Sequence, residues 1–154
     1  MSKEKQPGTT GSTQDATPAA SNWFLPNFMA VTNRIGLRPT VTLNVGGLLI
    51  SGELIDARTY FSDLTTVTNE ELKDVISQDA LNQLDALFAA FRERADHPGN
   101  APGQSAVHEP THLHLRNARV YQPGGTAAPA AGGVSWRVRL DAVDGFSLDM
   151  PAMR

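Results

Sequence analysis

The chain has 154 residues, with 13 Lys and Arg against 16 Asp and Glu and a formal net charge of −3. That length suits one domain with appendages and a core that needs no covalent staples, while the acidic balance argues against a protein built to coat nucleic acid. The lack of cysteine excludes disulfides, thiolate metal sites and cysteine nucleophiles, and no apolar run approaches membrane-spanning length.

Residues 1–22 are Gly, Ser, Thr, Pro, Gln and Ala with a few charges. Such a composition buries too little apolar area to offset its ordering entropy, so a disordered low-complexity tail is expected. Met1 to Gly8 contains no apolar run of the signal-peptide kind, so a cytoplasmic location is expected. A single β-rich domain is expected over 23–150. It opens with a short helix near Trp23 or Pro26, whose Phe28, Met29, Val31, Thr32 and Ile35 fall on roughly one side and whose C-terminal cap is Gly36.

The chain is organised around Val41 to Ile55. Val41, Leu43 and Val45 alternate with Thr42 and Asn44, the period of a strand with one buried face. Gly46-Gly47 supplies the positive φ that a two-residue hairpin loop requires. The return strand places Leu48, Ile50 and Leu54 on one face. Gly52 in its middle implies a bend or the close approach of another backbone. This strand is read as running on through Asp56 to Phe61.

An amphipathic helix is predicted over 68–97. Thr68-Asn69-Glu70-Glu71 has capping-box spacing, and Leu72, Val75, Ile76, Ala80, Leu84, Leu87, Phe88 and Phe91 form its apolar stripe. His97-Pro98-Gly99 stops it, and 98–107 reads as a flexible loop. Thr111 to Tyr121 alternates again, with Leu113 and Leu115 on one side and His112, His114 and Arg116 on the other. Val120 is out of phase with the leucines, which predicts a bulge at Asn117-Ala118. A Gly/Ala/Pro loop over 123–133 leads to Val134, Trp136, Val138 and Leu140, an inward face opposite Ser135, Arg137 and Arg139. Asp144-Gly145 marks a turn before a last short strand carrying Phe146 and Leu148. The fold class is therefore α+β: a small antiparallel β-sheet or a partly open Sm/SH3-like barrel, with a short N-terminal helix and one longer amphipathic helix.

His112 and His114, with His108 and Glu109 nearby, have spacing that can chelate a metal, but no further ligand cluster and no HExxH pattern accompanies them. They are read instead as an exposed pair whose use, if any, is a response to pH. Gly46-Gly47 is a hairpin loop and not a phosphate loop, and Asp141, Asp144 and Gly145 are turn residues without the later Glu of an EF-hand. No serine lies in a nucleophile elbow, so neither catalysis nor a cofactor is expected. From Thr68 to His97 acidic residues outnumber basic ones, whereas from His108 to Leu140 four arginines face Glu109 alone. His112, His114, Arg116, Arg119, Arg137 and Arg139 therefore form the candidate interaction surface, with Gly46, Gly47, Gly52 and Gly145 as structural turn and bend positions. A charge-separated molecule of this kind favours head-to-tail self-association, although two ordinary solvated faces would read the same way.

Leu43 to Ile55 followed by Tyr60-Phe61 resembles the N-terminal half of the gas vesicle accessory GvpU family. His114-Leu115-Arg116-Asn117-Ala118-Arg119-Val120-Tyr121 resembles its later strand, and Trp136-Arg137 with Ala142-Val143-Asp144-Gly145-Phe146 its closing segment. Phe28, Asn33 and Gly36 fall where that family carries similar residues. The likeness lapses across Thr65 to Ala106 and in the 123–133 loop. It implies a non-enzymatic bacterial accessory factor, located in the cytoplasm with gas vesicles, whose partners are the vesicle shell or other gas vesicle proteins and further copies of itself, and whose role is vesicle clustering. At the level of fold alone, the helix, hairpin and glycine-bent strand also resemble Sm-like barrels, which implies a ring-forming RNA-binding module as the alternative. The acidic net charge speaks against that second reading.

Overall fold

The computed structural model describes residues 23–96 and 110–149. The tail over 1–22, the loop over 98–107, His108 and Glu109 lie outside them. The first helix, α1 (Phe24–Ile35), buries Leu25, Met29 and Thr32. The Thr32 hydroxyl donates back to the Phe28 and Met29 carbonyls at 3.0 Å each, so this buried polar group is satisfied within its own helix. Gly36 ends α1 at φ 69°, and the Leu37 amide reaches back to the Thr32 carbonyl at 2.9 Å, a six-to-one closure of the last turn.

Strands β1 (Thr40–Val45) and β2 (Leu48–Ile55) form the expected hairpin, with Val45 opposite Leu48 and Gly46 and Gly47 at φ 58° and 86°. The tip is fastened by two side chains. The Gly47 amide donates to Asn44 Oδ1 at 3.1 Å and the Gly46 amide to Asp144 Oδ2 at 2.7 Å. In mid-β2, a Cβ on Gly52 would lie 3.0 Å from the Arg116 carbonyl oxygen and 3.1 Å from Ala118 Cα. The glycine is there because another backbone comes close.

That backbone is β3 (His112–Tyr121), which bulges where the lost phase of Val120 predicts. Its register against β2 shifts between Ser51 and Glu53, and against β4 (Val134–Arg139) between Leu115 and Ala118, with Asn117 at φ 52°. The 123–133 stretch, expected to be a flexible loop, makes three hydrogen bonds to β3. Val120 and Ala128 exchange backbone hydrogen bonds at 2.8 and 2.9 Å, and Arg119 Nε donates to the Gly132 carbonyl at 2.9 Å. After a 3₁₀ turn (Leu140–Ala142), β5 (Gly145–Asp149) pairs with β1.

The helical insertion departs from expectation in two ways. β2 ends at Ile55, and Asp56 caps a helix, α2 (Ala57–Leu72), by accepting from the Thr59 amide at 2.8 Å and the Thr59 hydroxyl at 2.7 Å. Tyr60 and Phe61 are therefore buried helix residues, not the end of a strand, and the Thr68 capping box lies inside α2. The single amphipathic helix is also two. The chain breaks at 73–77 and restarts as α3 (Gln78–Asp96), where Ser77 Oγ accepts from the Ala80 amide at 3.3 Å. The break leaves Val75 exposed and makes Leu81, absent from the expected stripe, the buried anchor of α3. Asn69 of α2 donates to both carboxylate oxygens of Asp85 of α3 at 3.2 Å.

The sheet runs β4-β3-β2-β1-β5, antiparallel throughout. No ladder joins β4 to β5 among the described residues, so the sheet is open, not a closed barrel. Leu25 and Met29 of α1 pack with Val41, Leu43, Ile50, Leu54, Leu113, Leu115, Ala118 and Val138 in the main core. A second, smaller core of Ile55, Tyr60 and Phe61, with Leu64, Phe88 and Phe91 against it, is built by the α2–α3 pair. The bulge geometry is testable at its two glycines. Gly52→Ala is expected to cost about 1–3 kcal/mol, and Gly133→Ala, whose methyl would overlap the Asn117 backbone, at least as much. Urea unfolding measures both, and an unchanged midpoint for either would refute the close approach at that site.

Candidate interaction surface

The arginines and histidines expected on one exposed strand face are distributed differently in the structure. His114 is 5 % exposed, its ring centroid 4.7 Å from that of Tyr60 and 6.0 Å from that of Phe61. Its Nε2 is buried with no hydrogen-bond partner among the described residues. Burial drives the His114 pKa down to about 4, helped by the positive charge of Arg137 and by His112. His112 is half-buried, with Nδ1 2.9 Å from the Thr111 hydroxyl, and its pKa is lowered by burial and by Arg137 and Arg139.

Arg116 turns to α2 and grips Asp63 through both Nε and Nη2, at 2.7 and 2.8 Å. This fork-to-fork pair raises the Arg116 pKa and clamps α2 onto the sheet. Arg119 is committed to Gly132, and Arg139 pairs with Asp141 at 3.1 Å on the open surface. Arg137 lies with its guanidinium carbon 6.0 Å from the Phe61 ring centre. The six residues therefore form no continuous cationic strip. The face that alternation assigns to solvent is covered by α2, because Asp56 starts a helix where the sequence reads a strand.

One exposed feature of the described residues is apolar instead. Phe24, Val31 and Ile35 recur at intervals of seven and four, which puts them on one side of α1, and Ile35 is 64 % exposed. Trp23 and Leu37 extend the exposure at the two ends. The stripe borders the sheet, for Phe24 stacks on Phe146 of β5 with centroids 5.5 Å apart. The sequence contains this signal: Val31 and Ile35 sit on the helix side that composition marks as apolar, yet the buried set is Leu25, Met29 and Thr32. The helix has more apolar circumference than the core consumes.

The burial of His114 carries a pH consequence. Its folded pKa lies below the ordinary 6.5, so it is neutral in both states well above pH 6.5 and its ionisation adds no cost there. Between pH 6.5 and 4 the unfolded chain takes up a proton that the folded chain refuses, and stability falls by roughly 3 kcal/mol over that window. His114→Phe is expected to flatten this acid limb while leaving stability near pH 7 within about 1 kcal/mol. Thermal melts at a series of pH values measure it, and an acid limb as steep as that of the parent would show that another group is responsible.

A family model described as gas vesicle protein GvpU-like matches residues 22–151. No curated protein and no solved structure matches the chain. The match takes in every described element, the α2–α3 insertion included, and the chain belongs to the GvpU-like family of gas vesicle proteins.

Proposed function

We propose that this gas vesicle protein acts without catalysis, as an accessory factor that gathers vesicles into clusters in the cytoplasm. It does so through one contact to the vesicle shell, or to another gas vesicle protein, and a second contact to further copies of itself. The observation that carries the reading is the exposed apolar stripe of α1, with Phe24, Val31 and Ile35 aligned beside β5. Apolar surface of this extent, left over after the core is filled, marks an adhesive face.

Two further features support self-association. Among the described residues β4 and β5 each pair on one side only, which supports strand addition at both ends of the sheet. The two edges differ, and pairing one with the other would join copies head to tail, into a ring or an open chain according to the rotation between them. Many such contacts on one vesicle give avidity, so each can be weak. No described helix is long and apolar enough to cross a membrane. Arg116, Arg119 and Arg139 are each engaged by a different neighbour and Arg137 lies over Phe61, so they lend the Sm-like RNA-binding alternative no added support.

Light scattering of purified vesicles mixed with the protein tests the reading, with sedimentation of the protein alone as a second measurement. The parent chain is expected to raise the scattering. The double variant Val31→Glu, Ile35→Glu, altered only at exposed positions, is expected to need at least about tenfold more protein for the same effect. A strictly monomeric parent, or a double variant that clusters vesicles as well as the parent, would overturn it.

A further inference from the structure

Where β2 ends and β3 begins, the two cores leave a hollow of about 630 Å³, a size in the usual range for small-molecule sites. Its apolar wall includes Ile55, Phe61 and Phe91, and its rim carries Arg94, Arg137 and Asp56. We propose that this hollow binds a small amphipathic anion: an apolar or aromatic body carrying one carboxylate or phosphate group. The inference goes beyond vesicle clustering and does not depend on it.

Three observations converge on that chemistry. Phe61 and Phe91 are stacked with ring centroids 5.1 Å apart and planes within 15°, and each carries a guanidinium above it. Arg137 lies 6.0 Å from the Phe61 centroid and Arg94 6.0 Å from that of Phe91. Neither guanidinium reaches a carboxylate among the described residues, in contrast to Arg116 and Arg139, which both do. Two cations held on aromatic faces at the rim of one hollow are preorganised for a planar anionic group.

The carboxylate of the rim does not neutralise them by contact. Both oxygens of Asp56 are engaged by Thr59, one by its amide and one by its hydroxyl. Burial alone would raise the Asp56 pKa, but these hydrogen bonds, with Arg38, outweigh it and keep the group ionised in its capping role. His114 supplies the third observation. It belongs to the wall, is buried beside Tyr60 and Phe61, and keeps an Nε2 without a hydrogen-bond partner among the described residues. A buried polar atom left unsatisfied is costly to maintain and uncommon in native proteins, and a ligand atom would complete it.

The test is an NMR titration of the full chain that follows the His114 ring and the Arg137 and Arg94 side chains. The probes are 2-naphthoate and 2-naphthyl phosphate, with neutral 2-naphthol and inorganic phosphate as the body without charge and the charge without body. Both aromatic anions are expected to shift the His114 ring, and the tighter of the two identifies the preferred head group. The neutral and inorganic probes are expected to bind at least about tenfold more weakly. Arg137→Gln and Arg94→Gln, both at exposed positions, are each expected to weaken the aromatic anions about tenfold, whereas Arg139→Gln, off the hollow, leaves them unchanged. No shift by either aromatic anion up to about 2 mM would overturn the proposal. So would naphthol binding as tightly as naphthoate, or equal losses in all three arginine variants, which would reduce the effect to net charge.

Discussion

Leu54 and Ile55 are consecutive in the chain and both are buried, one in each core. Successive strand residues point to opposite faces, so the end of β2 must be covered on both sides. Everything distinctive in the molecule follows from meeting that requirement. α1 and the curl of the sheet cover one face. α2 starts immediately after Ile55, folds over the other face and is held there by Arg116 and Asp63. The same double cover continues into β3, where Leu113, His114 and Leu115 are all buried. An antiparallel sheet that alternated cleanly would have one wet face; this one is dry on both at a single end.

That is also where the sequence was hardest to read. The hairpin, the glycine at 52 and the bulge at Asn117 were legible because each has a local cause: a period of two, a required positive φ, or a phase slip. Of the β4 face read as inward, Val138 is buried and Trp136 packs on the core, but Val134 is exposed. The helix start was not legible. Thr59, Tyr60 and Phe61 have strand propensity, and a lone Asp56 is a weak cap signal beside the more complete pattern at Thr68. Once β2 is carried through Phe61, nothing remains to cover His112, His114 and Arg116, and they read as an exposed cationic face. One misplaced boundary thus produced the wrong surface. The break between α2 and α3 was hidden for a related reason, since Val75 and Ile76 continue the apolar spacing across residues that are not helical.

The surface that does stand out, on α1, was visible as composition but not as exposure. Its apolar residues span more of the helix than a small sheet can bury, and only the packing shows which remain outside. Leu25 and Met29 point into the core, while Val31 and Ile35 do not. This divides a twelve-residue helix in two: one side fixes the main core and the other stays exposed. The hollow at the β2–α2 junction, which α1 also lines through Met29 and Asn33, has a different character, aromatic and cationic where the stripe is purely apolar.

The clasp between Asp144 and the Gly46 amide joins groups 98 positions apart in the chain. The hairpin tip that it grips closes over two residues, whereas the clasp itself waits on the whole intervening domain. The entropy of ring closure therefore favours the tip closing before the clasp, and β5 is the last of the described strands to be synthesised. Until that arrival the outer flank of β1 is bare, so a nascent chain that has not yet released its C-terminal strand carries an additional sticky ribbon that the finished molecule conceals.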